Sequence, residues 1–236
     1  MATIIGIVSQ KGGVGKTTLA LNLAGVFAQQ KGARPLVVDA DPQESALRWA
    51  DVREKESLFD VIRISTKTLH RDLREIVRKG GYTHVLIDAP PRVDEISRSA
   101  LVAADLVIIP IQPSPQDIWA AEHIVGLYNE VLAIKEDLKC AFVMNRVKAR
   151  TAITRGAVEA IGAFELPIMK SRISDRVIFA ESMARGLTVI EADPKGAAAL
   201  ETVELSKEIA KFGGYHVEAS KHPRKKGPHQ ERVSRR

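Results

Sequence analysis

Short apolar runs alternate along the chain with longer segments whose apolar residues recur every three or four positions. Residues 3–8 read as a first strand. Residues 16–30 follow with Leu19, Leu23, Val26 and Phe27 on one stripe, which is helical spacing. The same reading gives strands at Pro35–Asp39, 61–64, 83–88, Leu106–Ile111 and 139–145, and helices at 43–55, 69–78, 96–103 and 117–134. Helical segments follow at 151–163, 175–185 and 197–212, with short extended pieces around Ile168 and Val189. Strands that are apolar on both faces and alternate with helices predict an α/β fold. Its sheet is mainly parallel and twisted, with helices on both faces and right-handed crossovers. Gly213-Gly214 ends the last helix, so the pattern divides the chain into a folded unit, 1–213, and a tail, 214–236. The Pro, Lys and Arg content of the tail predicts disorder.

Composition sharpens this in three places. At 236 residues and 45% hydrophobic, the chain can bury one sizeable core. The single cysteine, Cys140, excludes a disulfide framework, and in the run Cys140-Ala141-Phe142-Val143-Met144 it reads as a core thiol. No apolar run approaches the ~20 residues of a membrane span. The N-terminal one, 4–8, runs straight into Lys11-Gly12-Gly13, unlike a secretory signal. These features predict a soluble cytoplasmic protein without stable membrane insertion. Charge is uneven: residues 215–236 hold seven Lys or Arg against Glu218 and Glu231, +5 of the net +6. Such a tail suits either a solvated extension or sequence-indifferent attraction to nucleic acid.

The strongest chemical signal is Gln10-Lys11-Gly12-Gly13-Val14-Gly15-Lys16-Thr17-Thr18, between the first strand and the first helix. Glycines let backbone N–H groups close around phosphate oxygens, and the helix N-terminus adds a positive dipole end. In such a loop Lys16 reaches the β- and γ-phosphates and the Thr17 hydroxyl serves Mg2+. Two strands then end in acids: Val37-Val38-Asp39-Ala40-Asp41-Pro42-Gln43 and Val85-Leu86-Ile87-Asp88-Ala89-Pro90-Pro91. At the C-terminal edge of a parallel sheet these carboxylates lie beside the phosphate loop. A Pro-rich stretch, 109–117, follows the fifth strand, and Val143-Met144-Asn145-Arg146 ends another.

Lys11 ahead of the glycines is the mark of the deviant Walker A group, which includes ParA, MinD and the nitrogenase iron protein. With the Asp-x-Asp-Pro-Gln and Asp-x-Pro-Pro strings, the chain resembles the ParA family of partitioning ATPases over about residues 3–212. That resemblance implies ATP and Mg2+ as cofactors and weak, partner-stimulated hydrolysis. Asp41 would orient the attacking water, Asp39 and Asp88 would support the Mg2+ shell with Thr17, and Asn145 would read adenine with Arg146 packed nearby. Lys11 would cross the interface of an ATP-bound homodimer and touch the partner subunit's ATP. Family members in that state bind DNA without sequence preference and associate with the nucleoid. Arg172, Arg176, Lys207 and Lys211 are the DNA-contact candidates here, with a ParB-like adaptor as the stimulating partner. No helix-turn-helix segment precedes the loop, so operator-specific repression is not expected.

Three alternatives share the motifs. A MinD-like membrane cycle needs a C-terminal amphipathic helix, and the Pro-interrupted basic tail offers no apolar face. An iron-protein-like carrier needs two cysteines per subunit. A related ATPase that positions a protein cargo or conjugation complex stays open, because every motif above serves it equally well.

Overall fold

The computed structural model describes residues 2–148 and 152–215. Six strands, β1 (Thr3–Ile7), β2 (Pro35–Asp39), β3 (Asp60–Arg63), β4 (His84–Asp88), β5 (Leu106–Ile111) and β6 (Lys139–Met144), form one sheet in the order β3-β2-β4-β1-β5-β6. Every pairing is parallel. The helices are α1 (Lys16–Ala28), α2 (Ser45–Asp51), α3 (Leu69–Gly80), α4 (Glu95–Ala103), α5 (Pro115–Leu132), α6 (Ala152–Gly162), α7 (Val177–Ala184), α8 (Val189–Ala192) and α9 (Ala197–Gly213).

Alternation along each strand feeds two cores. Leu36 and Val38 of β2 face one apolar cluster with Leu69, Leu101, Ile124 and Ile161, from α3 through α6. Val37, between them, faces the other with Leu23, Trp49 and Leu205, from α1, α2 and α9. The doubly covered parallel sheet expected from the sequence is therefore present. Pro110 lies inside β5 without breaking it. β1 pairs with β5 only as far as Ile7 opposite Ile108, so the absent N–H of Pro110 faces no partner strand. Cys140 is buried, and that burial pushes its thiol far above the ordinary range.

The sequence reading needs correction in three places. Helix 43–55 is shorter, because Glu44 adopts a left-handed φ of 56° and the helix runs only over Ser45–Asp51. Val189 opens helix α8 instead of an extended piece. Thr188 N and Oγ1 donate to Glu191 Oε2 at 3.0 and 2.9 Å, and Glu191 N donates to Thr188 O at 3.1 Å, a capping-box pairing that closes one turn. The helix from Leu69 continues to Gly80 and is closed by Gly81 at φ 64°. Ile168 does pair extended, bridging to Phe142. Gly214, at φ 82°, closes α9; the tail from 216 onward lies outside the described residues.

His84, at the start of β4, stacks on Phe27 at 4.5 Å and meets the Tyr215 ring edge-on. Burial lowers its pKa to about 4. A base that is harder to protonate when folded contributes stability above its unfolded pKa of ~6.5 and loses it as pH falls toward 4. Melting temperature measured between pH 7 and 4 should therefore fall more steeply for the wild type than for His84→Phe, which keeps the stack but cannot titrate. Parallel curves would remove His84 from the acid response.

Candidate functional site

The loop between β1 and α1 crosses the C-terminal edge of the sheet, where β4 and β2 end side by side. Asp88 sits in register with both Ile7 and Asp39. Gly13 and Gly15 hold φ of 75° and 91°, a region L side chains rarely adopt. A Cβ on Gly15 would also meet Asn145 Nδ2 at 2.7 Å. That amide donates to Val14 O at 2.6 Å, while Gln112 Nε2 and an Arg146 guanidinium nitrogen donate to Gly13 O at 3.0 and 3.2 Å. The loop carbonyls are thus tied to the ends of β5 and β6. In a planar trans peptide the N–H points opposite to the C=O, so the N–H groups of Val14 and Gly15 turn away from these anchors.

Lys16 begins α1 and is 6% exposed. Burial lowers its pKa, opposed by the charges of Asp88 and Asp41. The Thr17 hydroxyl donates to Asp88 Oδ2 at 2.6 Å. Burial raises Asp88 to about 7, with the Thr17 hydrogen bond pulling the other way. Its second oxygen, Oδ1, is buried without a hydrogen-bond partner. A buried carboxylate with one free oxygen beside a hydroxyl is a donor set of the kind a hard divalent cation takes, and the residues fit Mg2+.

Asp39 is occupied differently. Its Oδ2 accepts from Ala46 N at 2.8 Å and Leu47 N at 3.1 Å, and its Oδ1 accepts from Asp41 N at 3.2 Å. Burial raises its pKa against these three backbone donors. It anchors the loop that carries Asp41 and the first turn of α2. Asp41 accepts from Gln43 N at 2.9 Å and, with Ser45 and Pro91, walls the cavity beyond Lys16. Lys11 forms an ion pair with Asp117 of its own chain, a buried carboxylate that also accepts from Gln112 N at 2.9 Å and the Ser114 hydroxyl at 2.8 Å.

One cavity of about 490 Å³ takes in Gly12, Gly13, Gly15, Lys16, Thr17, Thr18, Asp41, Asn145 and Arg146. The structure brings together there all the sequence-derived nucleotide candidates except Val14, Asp39, Asp88 and Lys11, which flank it. Its far end is closed by Ile173, Phe179, Met183 and Thr202, which the sequence reading missed. These residues lie on segments remote in sequence, with no motif of their own. Arg176, a DNA-contact candidate, also lines this cavity and donates to Glu201 at 2.8 Å. Lys207 pairs with Glu204 at 2.6 Å, whereas Arg172 and Lys211 are exposed without an ion pair among the described residues.

A parallel sheet with a phosphate loop between its first strand and first helix, and carboxylates at the neighbouring strand ends, defines a P-loop nucleotide-binding protein. The chain belongs to the CobQ/CobB/MinD/ParA nucleotide-binding-domain family, which it matches over residues 5–189. The ParA resemblance read from the sequence is borne out. The chain is 27% identical over 205 residues to maintenance of carboxysome distribution protein A of Halothiobacillus neapolitanus, covering 86% of this chain and 93% of that protein. It is 29% identical to the sporulation initiation inhibitor protein Soj of Bacillus subtilis, covering 90% of this chain and all of that protein. Septum site-determining protein MinD of Pyrococcus horikoshii, solved with Mg-ADP, shares the fold at a TM-score of 0.69 and 20% identity, covering 91% of this chain and 98% of that one. Among the described residues, no helix is long and apolar enough to cross a membrane.

Proposed function

We propose that this chain is a Mg2+-dependent ATPase that closes as a homodimer on ATP and positions a cargo through sequence-indifferent DNA binding. The observation that carries this reading is the buried Thr17–Asp88 pair with a free carboxylate oxygen, at the side of the cavity that Thr17 lines with Lys16 and Asp41. Bound Mg2+ would be held by Thr17 and Asp88 and would offset phosphate charge. Asp39 supports that pair indirectly by fixing the Asp41 loop. Lys16 holds the terminal phosphates, and Asp41 orients water. Lys11 exchanges Asp117 for the partner subunit's nucleotide, so dimer closure begins with a broken ion pair. Asn145 holds the loop and leaves its amide oxygen for adenine, beside the Phe179 and Met183 wall.

The test is DNA binding by the purified protein with ATP, ADP or no nucleotide, on unrelated duplexes in a salt series. Asp41→Ala should bind ATP, remain dimeric and bind DNA persistently. Phosphate contacts release counterions, so affinity should fall by orders of magnitude between ~50 and ~200 mM salt. If neither wild type nor Asp41→Ala binds DNA in an ATP-dependent way, the DNA limb of the proposal is wrong and the ATP switch stands alone.

Two cargoes are compatible with this cycle. A ParB-like adaptor on plasmid or chromosomal DNA is the first, supported by the similarity to the chromosome-partitioning ATPase Soj of Thermus thermophilus, 27% identical over 87% of this chain. A protein assembly is the second, favoured by the similarity to a carboxysome distribution protein along nearly its whole length. Fluorescent tagging in the native cell separates them, through loss of the tagged DNA or misplacement of a protein body after deletion.

A further inference from the structure

A second cavity, of about 690 Å³, opens at the other end of the sheet. Its wall includes Ile4 of β1, Thr83 just before β4 and Asp105 just before β5, so it lies at the N-terminal edges of the strands. The phosphate loop and Asp88 lie at the C-terminal edges. The floor is apolar: Ile4, Val77, Val102 and Ala103 pack on the core beneath and are only partly buried. The rim is cationic. Arg74 and Arg78 stand exposed one helical turn apart on α3 and form no ion pair among the described residues. Across the groove, Lys135 Nζ donates to the carbonyls of Val102 at 3.3 Å and Ala104 at 2.5 Å, so its charge meets no carboxylate. The one acid in the wall, Asp105, is taken by Ile4 N at 2.8 Å.

We infer that this groove is a docking site for an acidic amphipathic segment of a partner protein, which seats apolar side chains on the floor and carboxylates against Arg74, Arg78 and Lys135. An apolar floor flanked by unpaired cations matches a helix that carries Leu or Phe on one stripe and Glu or Asp beside it. Duplex DNA fits less well, because its charged backbone cannot fill a recessed apolar floor without giving up its own hydration. The chain's own basic segment, 215–236, has the wrong charge sign for this rim. Arginine suits the role, since its planar fork pairs with carboxylates bidentately. The location has a functional consequence that rests on the proposed ATP cycle. A partner held at the N-terminal strand edges leaves the nucleotide cavity and the Lys11 face free, so cargo stays attached through opening and closing.

The probe is a fluorescein-labelled dodecapeptide with three Glu-Glu-Leu-Phe repeats, titrated by anisotropy into the full chain. Controls are the same peptide with Gln for Glu, an all-Glu peptide and a labelled duplex. Wild type should bind the Glu-Leu-Phe peptide saturably and equally well with ATP, ADP or no nucleotide. The double variant Arg74→Ala/Arg78→Ala should bind it at least tenfold more weakly, as should Gln for Glu in the peptide. Amide chemical-shift changes should centre on Ile4, Val77 and Val102. No saturable binding, equal binding by the charge variant, or shifts elsewhere would overturn the site. So would a loss of duplex binding or of self-association in the variant, which would assign the groove to DNA or to a second copy. ATP turnover by the same variant is read in parallel. Normal turnover without peptide binding sinks the docking site alone, and absent wild-type turnover sinks the ATPase proposal alone.

Discussion

Lys16→Ala should sharply weaken both ATP binding and turnover while leaving the fold intact. The ammonium is nearly buried at the first turn of α1, its pKa lowered by desolvation, with Asp88 and Asp41 as its nearby counter-charges. Nothing in the apolar packing requires a cation there, so its placement makes sense as readiness for phosphate. Charge-assisted hydrogen bonds contribute roughly 1.5–3 kcal/mol each, so losing this one should weaken ATP binding on the order of 10- to 100-fold. Turnover should fall further, because a preorganised cation acts most strongly on charge developing at the transferring phosphoryl group, and removal of such a donor costs on the order of 10²–10³ in rate. Calorimetric titration with ATP and a phosphate-release assay read the two effects separately. Far-UV circular dichroism should be unchanged. Retention of full turnover would mean that the phosphate site has been wrongly placed.

The largest effect on stability should come from Arg53→Ala, far from any motif. The Arg53 side chain is 3% exposed and that of Glu191 13%, and the two pair at 2.5 and 3.0 Å. The same guanidinium donates to Gly186 O at 2.7 Å and to Glu56 O at 2.6 Å, and lies over the Trp49 ring. Burial pushes the Glu191 carboxyl up, but hydrogen bonds from Arg53 and Thr188 outweigh it and hold it below its ordinary range. Removing the arginine leaves a largely buried carboxylate without its cation and two carbonyls without donors. Breaking such a pair costs about 3–5 kcal/mol. For a chain of this size that corresponds to a fall in melting temperature of roughly 10 °C. Urea denaturation would measure it directly. A change below ~1 kcal/mol would show that Thr188 alone suffices to hold Glu191.

The sheet was legible in the sequence because parallel strands covered on both sides are apolar on both sides. Pro35–Asp39 and Leu106–Ile111 emerge residue for residue, each bounded by a proline or an acid at a sheet edge. Helix limits were less legible where a distant side chain sets them. The start of α2 depends on Asp39 accepting its first-turn N–H groups, a contact seven residues back that periodicity does not encode. The turn at Val189 depends on Thr188 and Glu191, a capping box that was present in the sequence and could have been read. At the site, the phosphate loop and acidic strand ends declare themselves because their chemistry demands fixed spacing. The far wall of Ile173, Phe179 and Met183 does not, since apolar residues there look like any core segment until the chain folds back. The internal counter-charge for Lys11 was likewise hidden, because Asp117 lies 106 residues away.

The anchoring of the phosphate loop by Asn145, Gln112 and Arg146 bears on how fast the protein can exchange its ligand. A glycine-rich loop left free would have to be immobilised at each encounter, at a cost of about 1–2 kcal/mol for every residue ordered. Here three side chains just past the ends of β5 and β6 restrain Gly13 and Val14 as part of the folded state. Association then resembles insertion into a preformed mould, governed by diffusion and by the electrostatic pull of Lys16 on an incoming polyanion. The residence time of the ligand, more than its arrival, is then where affinity can be adjusted.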